Sequence, residues 1–306
     1  MINRSKRILI TGATGFIGRH IAACLHNSYS ILAVGRTNID SPNFLYAQAA
    51  IGSTALRSIL TDFNPHVVIH CAGSASVNLS VREPATDFAS GPALIFALYE
   101  DLRQTKCAPL VVQISSAAVY GNPTKLPVPE NAPITPLSPY GWHKFICESI
   151  GNEFAKLYGI PGLALRVFSC YGPGQNKLLL WECCGGIQAG TLRLYGTGKE
   201  SRDYIHVSDL AEAVKCLLAK PLIADFMAIN VASGIQTRIS QVVDLLRAAM
   251  DAQAVAPVYE GKKESSVPQH WQADISLLTS YGFRPKIAFE DGVAEYAAWF
   301  AARSEI

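Results

Sequence analysis

An apolar run that ends in three glycines at three-residue spacing, Arg7-Ile8-Leu9-Ile10-Thr11-Gly12-Ala13-Thr14-Gly15-Phe16-Ile17-Gly18, leaves a chain few ways to continue. Arg7–Ile10 reads as a short buried strand, and Ile17, Ile21, Ala22 and Leu25 then recur at helical spacing. Glycine lets backbone amides come close to a ligand, and the helix behind the turn presents a positive end. A pyrophosphate is the simplest ligand for such a turn. The spacing is GxxGxxG where the dinucleotide fingerprint has GxGxxG, so the turn is a variant of that motif in its required context, strand before and helix after. A turn that merely tolerates glycine is the plainer reading, and strand, helix and N-terminal position weigh against it.

Strand-like runs follow at Ile31–Val34, Val67–His70, Leu110–Ile114 and Leu163–Val167, separated by amphipathic segments such as Ala93–Leu102. That alternation predicts βαβ units in an α/β chain, with a doubly wound parallel sheet covered on both faces. After Cys170–Gln175 the pattern turns irregular and rich in turns, which suits a smaller C-terminal part that binds substrate. Ala228–Ser233 again has the pattern of a buried strand, so the chain is expected to return to the sheet and the two parts to be interleaved. The expected division is 1–168 for dinucleotide binding, with a return around 205–234, and 169–306 mainly for the substrate.

With 49% hydrophobic and 16% charged residues, a chain of 306 is globular and long enough for a substantial core. Its 26 basic and 24 acidic side chains nearly cancel, which argues against a nucleic-acid or polybasic membrane surface. Met1–Arg7 is polar and no apolar run reaches the roughly 18 residues of a membrane span, so a cytoplasmic location is expected. Eight cysteines scattered through apolar segments read as small hydrophobes in a reducing compartment. Cys183 and Cys184 are adjacent, no CxxC or HExxH occurs, and no metal site is expected; His70 reads as a strand end.

Ser138-Pro139-Tyr140 opens a helical segment with a capping serine and a proline at the first position, and Gly159 ends it. Ile146, Ile150, Phe154 and Leu157 are its expected buried stripe. Tyr140 and Lys144 are four apart and share a face. An ammonium beside a phenol favours the phenolate. Moving a tyrosine from about 10 to near 7 takes ~4 kcal/mol, what one charge supplies at about 4 Å and an effective dielectric near 20. Chance also places Tyr and Lys at this spacing on surfaces. Upstream, Leu110–Ile114 runs into Ser115-Ser116, and ligands of open parallel sheets bind beyond the carboxyl ends of strands. A serine pair that only caps the strand is the alternative.

Taken together, TGATGFIG, ISSAAVYG, YGWHK and GTGKESRDYIHVSDLAEAV, in this order, resemble the extended short-chain dehydrogenase/reductases that modify nucleotide sugars, the NAD(P)-dependent epimerase/dehydratase group. The likeness runs from about Arg7 to the end. It implies a Rossmann-like domain, a smaller domain holding a nucleoside-diphosphate sugar, and a catalytic Ser116, Tyr140 and Lys144. The implied dinucleotide contacts are Gly12, Thr14, Gly15, Phe16, Ile17, Gly18, Arg36, Ala72 and Gly73, with Tyr140 and Lys144. Ser116, Ser169 and Arg202 would face the substrate, Arg202 on its diphosphate or nucleoside, unless Arg202 pairs with Asp203 or Asp209 instead. A homodimer built on helices of the first domain is implied as well.

Departures from the family pattern narrow the reaction. Where related 4,6-dehydratases carry an acidic pair this chain has Ala117 and Ala118, and where fucose synthases carry a cysteine it again has alanine. Hydride transfer at one carbon remains: reduction of a 4-keto sugar, or inversion at carbon 4. Serines at 90 and 169 stand where the family often has asparagine. Gly35 and Arg36 occupy the end of the second strand, where an acid suits NAD and an arginine suits the 2′-phosphate of NADP, and Asp40 follows late. NADP is expected ahead of NAD, which favours a 4-ketoreductase; a 4-epimerase with tightly bound NAD is the alternative, and a non-catalytic nucleotide-binding protein the remote one.

Overall fold

The structure, a computed structural model, describes residues 6–37, 44–261 and 268–303. Its strands are β1 (Arg7–Thr11), β2 (Ser30–Gly35), β3 (Leu45–Gln48), β4 (Val67–His70), β5 (Leu110–Ser116), β6 (Gly162–Val167), β7 (Ser169–Tyr171), β8 (Leu192–Leu194), β9 (Ser201–His206), β10 (Phe226–Val231), β11 (Gln236–Arg238) and β12 (Pro257–Tyr259). The helices are α1 (Phe16–Leu25), α2 (Thr54–Phe63), α3 (Val77–Arg82), α4 (Pro84–Ser90), α5 (Pro92–Gln104), α6 (Pro139–Tyr158), α7 (Leu178–Gln188), α8 (Val207–Leu218), α9 (Ile239–Ala249), α10 (Ser276–Ser280) and α11 (Phe289–Arg303).

Seven strands form one parallel sheet in the order β10-β6-β5-β4-β1-β2-β3. Its central strands are buried on both faces, which is why their sequences are nearly continuous apolar runs. Ile21 and Leu25 of α1 join Leu210, Val214 and Leu217 of α8 in the core on one face. Leu56 of α2, Leu98 and Tyr99 of α5 and Phe154 of α6 fill the other. Strand order reverses between β1 and β4, so the carboxyl ends of β1, β4 and β5 open on one crevice. The expected α/β doubly wound sheet is present, and the expected return of the chain is β10, paired with β6.

Smaller units stand beyond that crevice: β11-β9-β7, the pair β12-β8, and a third core built from α7, α9 and α11 with Leu192 and Leu194. Among the described residues no helix is long and apolar enough to cross a membrane.

Helix α6 has the expected ends. Ser138 Oγ accepts from Gly141 N, Pro139 opens the helix, and Gly159 closes it in the left-handed conformation. Its buried stripe differs from expectation. Cys147, Glu148, Gly151, Phe154 and Ala155 face inward, Ile146 and Ile150 are half-buried, and Leu157 is 68% exposed. The helix lies in the angle between β6 and α5, where small residues permit close approach: a Cβ at Gly151 would meet Phe226 at 2.6 Å and Tyr99 Oη at 2.9 Å.

Candidate active site

The glycine turn is built for close approach. Gly12 adopts φ +69°, and a Cβ there would come within 2.6 Å of Ala72 N. A Cβ at Gly18 would stand 2.3 Å from the Gly12 carbonyl, so the first turn of α1 packs directly on the loop. Gly15 caps α1 without a side-chain hydrogen bond, and no acid occupies the first turn. The free amides there suit an anion. Thr14 and Gly15 are exposed at the mouth, with Phe16 and Ile17 half-buried behind them. Gly73, at φ +129°, brings the end of β4 against Ser90 O, where a Cβ would reach 2.8 Å. Backbone, without side chains, thus meets backbone at Gly12, Gly18 and Gly73.

Ser116 ends β5 and opens a 3-10 turn over Ala117–Tyr120, its Oγ accepting from Ala118 N at 3.2 Å. Its neighbour Ser115 points the other way and donates to Glu148 Oε1. The Ser116 turn and the start of α6 touch: a Cβ at Gly141 would be 2.6 Å from Ala118 O. Tyr140 N donates to Ser80 Oγ at 3.0 Å, so α3 fixes the first turn of α6. One turn on, Lys144 Nζ donates to Ile114 O at 2.8 Å and lies 5.6 Å from the centre of the Tyr140 ring. Ser74, Asp87, Gly91, Tyr140, His143, Lys144 and Cys147 line one narrow crevice. The ammonium also faces β4. Burial, with Lys144 adding to it, pushes the His70 imidazole down to about 3, while Thr11 Oγ1 sits 2.8 Å from His70 Nδ1. Burial pushes the neighbouring Cys71 thiol up to about 12, against the pull of Lys144.

Behind these groups lies a buried polar network that sequence reasoning missed. Arg166 donates through Nε and Nη2 to both oxygens of Glu148, and through Nη1 to Tyr120 Oη and Glu130 O. Tyr120 Oη donates to Asn230 Oδ1 at 2.7 Å. Glu148 is one turn beyond Lys144, and Ser115 adjoins Ser116, so the network ties α6 to the end of β5. The available signal was an arginine inside the apolar run Leu163–Val167, since a charge buried in a strand needs a partner.

Arg202 on β9 is half-buried with no ion pair among the described residues. Its Nη1 donates to Ser201 O at 2.8 Å and Gln269 O at 3.4 Å, and the guanidinium lies 5.5 Å from the centre of the Trp271 ring. Neither expected alternative partner is engaged with it. Asp203 accepts from Ser233, Gly234 and Ala273, and Asp209 from the amides of Lys286 and Ile287. Ser169 begins β7 opposite Tyr204 and is half-buried. Of the loop within Tyr259–Leu278, residues 262–267 lie outside the described residues, as does Asp40. Among the described residues no cluster could hold a metal ion. Arg36 is exposed at the end of β2, apart from the Tyr140 and Lys144 crevice.

The profile of the NAD dependent epimerase/dehydratase family matches residues 8–232. A UDP-glucose 4-epimerase of Mycolicibacterium smegmatis is 26% identical over 315 residues, spanning 98% of this chain and 100% of its own. The UDP-N-acetylglucosamine 4-epimerase of Methanobrevibacter ruminantium, solved with UDP-N-acetylmuramic acid, superimposes with a TM-score of 0.87 at 27% identity, covering 97% of this chain and 99% of that one. MoeE5, solved with UDP-glucose and NAD, gives a TM-score of 0.87 at 26% identity over 98% and 100% of the two chains.

Proposed function

Because the chain belongs to the NAD dependent epimerase/dehydratase family, we propose that it inverts carbon 4 of a UDP-hexose, with a nicotinamide dinucleotide held in the glycine slot. Two of the similar proteins are 4-epimerases, and this reverses the order expected from sequence, in which a 4-ketoreductase came first. The carrying observation is their match over nearly the whole length, joined to a crevice that Tyr140 and Lys144 both line, with the turn after Ser116, where Ala117 and Ala118 stand, packed on the first turn of α6. When bound, the dinucleotide supplies reversible hydride acceptance at carbon 4. Tyr140 Oη then takes the proton of the 4-hydroxyl and gives it back after inversion. Ser116 Oγ holds the same oxygen. Lys144 holds the nicotinamide ribose and keeps a positive charge one turn from the phenol. Arg202 receives the diphosphate, for which a forked, permanent cation is suited, and Ser169 lies along the sugar.

We take residues 1–168 with the return around 205–234 as the dinucleotide part and the rest of 169–306 as the part that grips the nucleotide sugar. NADP is our reading for the dinucleotide, with NAD, the cofactor seen with MoeE5, as the alternative. The homodimer we propose rests on the apolar side chains Phe88, Phe96, Trp142 and Tyr158, each 44–50% exposed on α4, α5 and α6. Eight cysteines without a disulfide fit a cytoplasmic place.

Purified protein should interconvert UDP-glucose and UDP-galactose, or their N-acetylated counterparts, without consuming added dinucleotide. Tyr140→Phe should lose at least 100-fold in turnover with dinucleotide affinity nearly kept. Stoichiometric oxidation of NADPH by a 4-keto nucleotide sugar, with no epimerisation, would return the ketoreductase to first place.

A further inference from the structure

Between Tyr140 and Lys144 the chain carries His143, a titratable side chain that the proposed reaction leaves unused. It lines the same crevice as both, together with Asp87, Cys147, Ser74 and Gly91. Helix α4 holds the imidazole from two sides. Its Nδ1 lies 2.6 Å from Asp87 Oδ2, and its ring crosses that of Phe88 at 85° with 5.3 Å between centres. Asp87 is 3% exposed and has no other ion pair among the described residues. A carboxylate can only accept, so the neutral imidazole turns its proton on Nδ1 to Asp87 and keeps Nε2 as the accepting nitrogen. Nε2 makes no hydrogen bond to the protein among the described residues. Tyr140 and His143 are three apart on α6, a spacing that sets Cβ atoms about 5–6 Å apart.

The charges in the crevice give this pair a use. In the proposed reaction Tyr140 must be a phenolate before it can take the hydroxyl proton at carbon 4, and its own proton needs a destination. With phenol and imidazole both neutral, the crevice holds one anion, Asp87, and one cation, Lys144. Moving the phenolic proton to His143 makes two of each and leaves the net charge unchanged. Each new charge also stands near an opposite one, the imidazolium against Asp87 and the phenolate near Lys144. The neighbouring groups do not compete. Burial pushes the Cys147 thiol up to about 11 and the Cys71 thiol up to about 12, and pushes His70 down to about 3, so none of the three changes charge near neutral pH. Helix α3 contributes the Ser80 hydroxyl, which accepts from Tyr140 N.

We propose that His143, oriented by Asp87, is a positioning residue acting through Tyr140: it receives the phenolic proton, directly or through one water, and so sets the pH at which Tyr140 becomes a base. The O–H bond of Tyr140 breaks, an N–H bond forms at His143 Nε2, and no electrons are exchanged. The inference rests on Tyr140 being the acid–base group of the proposed reaction.

Two readouts on the full chain with its dinucleotide test it: epimerisation of UDP-glucose against pH, and an ultraviolet phenolate titration in which subtraction of Tyr140→Phe isolates Tyr140 from the other tyrosines. His143→Gln keeps a donor for Asp87 but takes up no proton. It should move the acid limb of kcat/KM and the Tyr140 phenolate transition together, by about one pH unit towards alkaline pH, so that a loss of about tenfold at the acid end is recovered as pH rises. Asp87→Asn should move both the same way by less, and the double variant no further than His143→Gln alone. A clamp that only holds α4 to α6 would survive in the glutamine variant with its pH profile unmoved. That result, or activity lost equally at every pH, overturns the proposal. Full turnover by Tyr140→Phe overturns instead the acid–base reading beneath it, and the phenolate titration needs no turnover, so it decides the role of His143 for a ketoreductase as well.

Discussion

Replacing Arg202 by methionine separates a ligand contact from a structural one, because the two roles predict opposite balances of stability and binding. In the free protein Arg202 makes two hydrogen bonds to carbonyl oxygens and stacks on Trp271. Together these contribute about 1.5–3 kcal/mol. Against that stands the partial desolvation of a cation that makes no ion pair among the described residues, burial lowering its pKa against the pull of Tyr204 and Glu200. Methionine keeps the length and apolar bulk and removes the charge, so folding stability should change by no more than about 1 kcal/mol. Binding behaves differently. A guanidinium about 4 Å from a phosphate at an effective dielectric near 20 gains ~4 kcal/mol, and mutational losses of charged hydrogen bonds run to about 1.5–3 kcal/mol. The dissociation constant for UDP should therefore rise about 10- to 200-fold. At a UDP concentration 100 times the original dissociation constant, the stabilisation of about 2.7 kcal/mol should shrink to under ~1.5 kcal/mol, and to about 0.4 if affinity falls 100-fold. Thermal unfolding with and without UDP, paired with calorimetry, reads both quantities. A variant that loses more than 2 kcal/mol of stability yet binds UDP within threefold of the parent would make Arg202 a structural residue and refute its assignment to the diphosphate.

Three further outcomes follow from the geometry. Glu148→Leu leaves Arg166 buried without its carboxylate and should cost about 3–5 kcal/mol in urea unfolding, part of which the double change with Arg166→Met restores. The His70 imidazole, held near 3 against an ordinary 6.5, stays neutral in the native fold while the unfolded chain takes up a proton between those values. Its contribution is complete above pH 6.5 and declines as pH falls towards 3, on the order of 2–3 kcal/mol between pH 7 and 4.5, and His70→Asn should flatten that slope in denaturation curves. Phe96→Glu should shift sedimentation from dimer to monomer, with catalysis per chain within a few-fold, if the apolar faces of α5 and α6 meet a second copy.

Local signals reached some of this structure and not the rest, for physical reasons. The glycine turn, the apolar central strands and both ends of α6 are written in consecutive residues, because turns, caps and doubly buried strands are local in chain and space. Strand β3 escaped notice because it lies at the sheet edge with Leu45 68% exposed, so neither alternation nor a buried run marks it. The stripe of α6 was misplaced for a different reason. Apolar periodicity pointed to Leu157, while the helix turns Glu148 inward to meet Arg166, a pairing set by how α6 lies on β6. The pairing of Asp87 with His143 is likewise a contact between separate helices that a reading of one helix at a time does not reach.

The reaction was harder to read than the site because Ser116, Tyr140 and Lys144 serve a ketoreductase and a 4-epimerase alike. In the proposed site both reactions would pass a proton between Tyr140 and the oxygen on carbon 4, and Ala117 with Ala118 offer neither a second acid. What separates them is the fate of the dinucleotide. A reductase must release the oxidised form each turn, whereas an epimerase must hold the reduced form until the sugar has rotated and taken its hydride back. On the proposed site, retention would be a binding free energy spread over the Gly12 turn, the α1 amides, Lys144 and the adenosine end, so no single residue type announces it. On the proposed reading of Arg36, its contact would lengthen the stay of a phosphorylated cofactor, and a longer stay serves inversion at least as well as exchange. On the proposed epimerase reading, retention of the reduced cofactor is what inversion requires, and if Arg36 contributes to it Arg36→Ala should make the site leak. Reduced cofactor and 4-keto sugar should then escape together, detectable as a slow, turnover-dependent loss of activity that added NADP+ reverses. An Arg36→Ala enzyme whose activity stays constant through thousands of turnovers without added cofactor would show that retention rests elsewhere.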